Sequence, residues 1–190
     1  MRYLALLCGV AAMGIAAACG DSPSAPSAGM GTLHLRLTDS PFSDAKAVLV
    51  TFSSVRAHRT DSEWTTVPFA ESAGSRTCDL KKLQGPSDLL GTGALPAGHY
   101  EQVRLVVERA ALYFDNASAG PACAPSIPTP AGGTAPLEIP SGEVKLNRGF
   151  DMKEGGSTNM LLDFDGDQSI HQTGNGRYMM RPVIAVVSVD

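Results

Sequence analysis

Asn159 to Val189, NMLLDFDGDQSIHQTGNGRYMMRPVIAVVSV, decides the fold class. Met160, Leu162 and Phe164 share one parity while Asp163 and Asp165 take the other, the period-2 signature of a half-buried strand. Gly174-Asn175-Gly176 supplies the positive-φ residues of a tight hairpin, so two long strands are expected to fold back on each other there. The return run from Tyr178 to Val189 is apolar on both parities, which predicts a strand covered on both faces. Pro182 cannot donate to a ladder and marks a bulge or an edge position.

Working outward, Leu33, Leu35 and Leu37 alternate with His34 and Arg36, predicting a strand over Thr32 to Thr38 that Asp39-Ser40-Pro41 then breaks. In Val48 to Arg59 the apolar parity switches from Val48, Val50 and Phe52 to Val55 and Ala57. A one-residue bulge near Ser53-Ser54 would produce that switch. Glu63 to Phe69 reads as a short strand, in which Trp64 fills or caps the core or, alternatively, stacks on a ligand. Pro86 to Gly93 reads as loop, with Gly91-Thr92-Gly93 as a turn. A strand follows over Leu95 to Phe114, with Val103, Leu105 and Val107 alternating with Arg104 and Glu108. Asp115 to Pro136 is a Pro- and Gly-rich loop, long for a compact domain. Short strands are expected at Leu137 to Ile139, Val144 to Leu146 and Phe150 to Met152.

The 190 residues include 20 Gly and 13 Pro, and a helical period is rare. The expected fold is all-β: a single antiparallel β-sandwich of the transthyretin-like or immunoglobulin-like kind, with roughly seven to nine strands, over residues 31–190. A net charge of −4 with no run of Lys and Arg argues against nucleic acid as a partner.

Residues 1–18 read as a lipoprotein signal peptide: Arg2, an apolar stretch from Leu4, then Ala16-Ala17-Ala18 directly before Cys19. Cys19 is then the lipidated N-terminus, and residues 19–30, rich in Ser, Pro, Ala and Gly, a flexible linker. An ordinary secretory signal is the alternative. Ala16 stands where Leu is commoner before a lipidated Cys. Gly20 rather than Asp after the Cys favours the outer over the inner membrane.

With Cys8 removed and Cys19 lipidated, Cys78 and Cys123 remain as a pair in an oxidising compartment, giving a disulfide or, alternatively, two free thiols. Asp163, Asp165 and Asp167 form the one dense acidic cluster. The glycine and glutamate of an EF-hand loop are missing, so Asp163 and Asp165 are expected to pair with Arg104, Arg177 or Arg181. A looser Ca²⁺ site remains the weaker candidate. No linear signature of a hydrolase, a metalloprotease or a nucleotide-binding loop occurs, and no cofactor or catalytic residue is assigned.

Six stretches carry a resemblance: LTDSP (37–41), Trp64, DLKKL (79–83), LPAGHYEQVRL (95–105), IPSGEVKL (139–146) and LDFDGDQSIHQTGNGRYMMRPVI (162–184). Together they resemble the bacterial and archaeal lipoproteins grouped as domain of unknown function 4382. LPAGHY is also similar to the Leu-Pro-x-Gly-x-Tyr turn of transthyretin-like and peptidase-associated β-sandwich domains. The family has no assigned activity; with the signal peptide and no catalytic signature, the expectation is an exported, lipid-anchored, non-enzymatic module in the cell envelope that binds or positions an envelope protein or glycan. An envelope hydrolase or transferase without a linear motif, or a structural subunit of an envelope assembly, is the competing expectation.

Overall fold

A computed structural model describes residues 29–40 and 43–190. The signal peptide, Cys8, Cys19 and nearly all of the linker lie outside the described residues. Among the described residues fourteen strands form: β1 (Met30–Ser40), β2 (Ala47–Arg59), β3 (Trp64–Thr66), β4 (Arg76–Asp79), β5 (Asp88–Pro96), β6 (Gly98–Tyr113), β7 (Cys123–Ala124), β8 (Thr134–Glu138), β9 (Glu143–Leu146), β10 (Phe150–Met152), β11 (Ser157–Asp165), β12 (Ile170–Gln172), β13 (Tyr178–Met180) and β14 (Ile184–Val189). A short α-helix, α1 (Gly166–Ser169), joins β11 to β12. No helix among the described residues is long and apolar enough to cross a membrane.

The strands make a β-sandwich. A four-stranded sheet runs β14-β11-β1-β5, and a ten-stranded sheet runs β12-β13-β8-β6-β2-β4-β7, with β9 and β10 also on β6 and β3 on β2. Alternation along β1 and β11 turns Leu33, Leu35, Leu37, Met160, Leu162 and Phe164 inward. There they meet Phe52, Val55, Val103, Leu105 and Leu112 of the larger sheet in one core. Each such side chain contributes about 1.5–3 kcal/mol by leaving water.

The sheets are mixed, not antiparallel as expected, because β1 pairs with β11 in parallel and β13 with β8 in parallel. There are also more strands than expected, since short ribbons flank the long β2–β6 pair. The expected bulge is present: the β2–β6 register shifts on either side of Phe52, and core-facing residues change parity there.

The deciding stretch folds back as expected, but with a detour. β11 and β14 pair antiparallel in the smaller sheet. Between them α1, β12 and β13 cross to the larger one, where the Gly174–Gly176 turn closes the short β12–β13 hairpin. β14 is an edge strand, with Val187 58% exposed, so the expected burial of both its faces fails. Pro182 lies in the break between β13 and β14, where its missing N–H leaves no ladder bond unmade.

Gly91-Thr92-Gly93 is strand rather than turn. β5 passes so close to Pro68 that a Cβ on Gly91 would stand 2.7 Å from the Pro68 carbonyl oxygen. The chain changes sheets between β5 and β6, within LPAGHY. Gly98 takes φ 142°, and the Tyr100 hydroxyl donates to the Pro96 carbonyl at 2.9 Å while its ring stacks on Phe150.

Candidate functional site

Cys78 and Cys123 are bridged. They stand opposite each other in the β4–β7 pair, and the bridge holds the long loop against the sheet. Other bonds sew the same loop down. The Ser118 hydroxyl donates to Asp79 at 2.5 Å, Lys82 Nζ to the Gly120 carbonyl at 2.8 Å, and the Asp79 amide to the Ala122 carbonyl at 2.7 Å. A segment that composition marks as structureless is thereby fixed from outside itself.

The acidic cluster does not meet the arginines expected of it. Asp163 accepts from the Ser40 hydroxyl at 2.9 Å, and Asp165 caps α1, accepting from the amide and side chain of Gln168. Asp167 is exposed. Arg104 and Arg177 instead pair with Glu143 and Glu138. Among the described residues no three His, Cys, Asp or Glu side chains stand in a metal-ligating group.

The carboxyl that departs furthest from ordinary behaviour is Asp39. β1 runs on to Ser40, so Asp39 takes the inward parity of Leu33, Leu35 and Leu37 and is buried. Both its oxygens lack a hydrogen-bond partner. Burial raises its pKa to about 8, Asp163 adds to the rise, Lys81 opposes it, and Asp165 and Asp167 add smaller increments. Asp39 is therefore mostly protonated at neutral pH. The parity of β1 was the signal that could have found it; the turn-forming Asp-Ser-Pro sequence hid it.

Trp64 is not a core residue. It lies half-buried on the outer side of the larger sheet, where the Arg104 guanidinium sits 4.2 Å from its ring centre and the His58 ring 4.8 Å away. Strand register explains the group. Arg56 stands opposite both Thr66 and Arg104, and Arg104 opposite Lys145, so β3, β2, β6 and β9 present Thr66, Arg56, Arg104 and Lys145 in one row. The neighbouring row is Trp64, His58 and Gln102, with Gln102 donating to Asn147 at 2.5 Å.

Arg104 is held from several sides. It donates to Glu143 at 3.3 Å and to Gln102 at 3.0 Å, while its Nε is buried and has no acceptor. Lys145 also reaches Glu143, at 3.5 Å. Ser54, Arg56, Arg104, Val106 and Glu143 enclose a shallow cleft of about 190 Å³. Such an array can bind an anion: two planar guanidinium forks and an ammonium face outward on a stiff sheet, with one carboxylate beside them.

The sequence profile described as "Domain of unknown function (DUF4382)" matches residues 30–182. The chain belongs to the DUF4382 family. The DUF4382 match takes in Asp39, the Cys78–Cys123 bridge, the Asp163–Asp167 cluster and the whole Arg56–Arg104–Lys145 row, and leaves β14 outside. None of the curated proteins matches the chain. Among solved structures it is similar to a leucine-rich repeat protein from Bacteroides thetaiotaomicron, at 15% identity over 70% of this chain and 13% of that one, with a TM-score of 0.24.

Proposed function

We propose that this DUF4382 domain is a non-enzymatic binding module, tethered to the cell envelope by a lipid on Cys19 and held off the membrane by residues 19–30. The outer membrane is the expected site, since Gly20 rather than Asp follows Cys19. One observation carries the binding function: an ordered set of outward side chains, Trp64, His58, Arg56, Arg104 and Lys145, on the outer face of the larger sheet. Aromatic and arginine side chains gathered on a rigid surface are what recognition surfaces are built from. The raised carboxyl, Asp39, lines none of the cavities described above and faces the core instead of solvent. Its chemistry supports an account in terms of stability.

The test uses the full lipidated chain, immobilised and exposed to solubilised envelope. Wild type is expected to retain a component that Trp64→Ala does not, with both proteins melting alike. Equal retention by the two would contradict the assignment. The anchor is tested separately: Cys19→Ser is expected to abolish fatty-acid labelling and release the domain from membranes, and an unlabelled, soluble wild type would contradict it.

A further inference from the structure

We propose, resting on the binding reading above, that the Arg56–Arg104–Lys145 row recognises the carboxylates of an acidic polysaccharide. The spacing argues for a polymer. The three cations sit on adjacent strands of one sheet, so their Cα positions succeed one another about 4.8 Å apart across the strands. That repeat is close to the rise of one pyranose unit along an extended glycan chain.

The chemistry argues for carboxylate. Arg56 is exposed and no hydrogen bond or ion pair engages it among the described residues. Arg104 is pre-oriented by Trp64, Gln102 and Glu143, so little side-chain freedom is lost when an anion arrives. Ser54, Gln102 and Asn147 flank the row and suit sugar hydroxyls. Glu143 bridges Arg104 and Lys145 and sets the selectivity, since an incoming carboxylate must compete with it.

A lipid surface fits less well. The large exposed apolar side chains, Met30, Val183 and Val187, belong to β1, the β13–β14 break and β14, not to this face. A nucleic acid fits less well too, because Arg104 and His58 already lie against the Trp64 ring and the chain is net negative.

Trp64 is the sole tryptophan, so its emission reports this face alone. Titrating the full lipidated chain in neutral detergent with oligogalacturonate is expected to give a saturable change in emission. Affinity should fall about tenfold in Arg56→Gln, an exposed position whose replacement leaves packing intact, and in Arg104→Gln. Raising salt from about 50 to about 500 mM should weaken binding further. Neutral galactose oligomers should give no response. No emission change with oligogalacturonate, an equal response to the neutral oligomer, or an Arg56→Gln affinity equal to wild type would overturn the proposal. So would binding to phosphatidylglycerol vesicles, in excess of that to neutral phosphatidylcholine vesicles, that Arg56→Gln weakens as much as it weakens oligogalacturonate binding. Retention of an envelope component that Trp64→Ala loses, in a chain indifferent to oligogalacturonate, would leave the binding module standing and remove only this ligand.

Discussion

Two polar regions of the same large sheet differ in where their bonds end. Along β4 and β7 they close on the protein, the buried Arg76 Nε apart. Asp79 is fully buried, and its oxygens take up the Val48 and Lys81 amides and the Ser118 hydroxyl. Arg76, also buried, donates to the Ala70 and Cys123 carbonyls, and Thr51 bonds Thr77. Along β3, β2, β6 and β9 the polar groups point outward, and several keep capacity to spare. Bonds that terminate inside hold a fold together; bonds left open are available to something else. Substitutions in the first region should therefore cost stability and spare binding, and those in the second should do the reverse.

Asp39 gives the largest expected effect, because it is an interior carboxyl with both oxygens unpaired. Its folded pKa, about 8, lies above the ordinary 3.8, so between those values the fold keeps a proton that the unfolded chain has lost. Stability conferred by the neutral carboxyl is full below about pH 4 and falls as pH rises toward 8, by at most about 1.4 kcal/mol per pH unit. Denaturant unfolding of wild type and Asp39→Asn across that window is expected to show the variant losing this slope and becoming the more stable at pH 8. Parallel profiles would mean that Asp39 ionises freely.

The disulfide comes next. Cys78→Ala should lower stability by about 2–4 kcal/mol and loosen residues 115–136 to proteolysis, with ligand binding intact. A binding loss as large as that of Arg56→Gln would break the division between the two regions. Gly91→Ala should cost about 1–3 kcal/mol, since the new methyl group meets the Pro68 carbonyl; an unchanged melting curve would show that β5 can move aside. The smallest effect belongs to Asp165→Asn. It keeps a cap on a four-residue helix, since Asn caps nearly as well as Asp, and should cost about 0.5 kcal/mol or less. Because Asp163 and Asp165 are engaged by Ser40 and Gln168, millimolar Ca²⁺ should leave the melting temperature of both proteins nearly unchanged. A calcium-dependent rise abolished by Asp165→Asn would reveal a metal site.

What could be read in the chain beforehand followed the range of the signals. Alternation is local, so Leu33 to Leu37, the bulge after Phe52 and the short strands at 144–146 and 150–152 were visible in the order of neighbouring residues alone. β5 was hidden because Gly91 and Gly93 resemble a turn, although there they allow Pro68 to approach. The parallel β1–β11 pairing was hidden because register between distant segments leaves no mark in either. The same holds for the outer row: Arg56, Arg104 and Lys145 lie on three strands remote in sequence and become neighbours only through pairing. Trp64 was misplaced for a related reason. Its ring is covered by a cation from β6 that no local pattern could announce.

Hydrogen–deuterium exchange on the full lipidated chain, with and without the envelope component it retains, tests most directly whether function resides on the outer face. We predict that added protection is confined to β3, the β6 segment from Gln102 to Val106, the facing part of β2, and β9. Protection centred instead on the β14 edge, or on the end of β1 around Asp39, would contradict it.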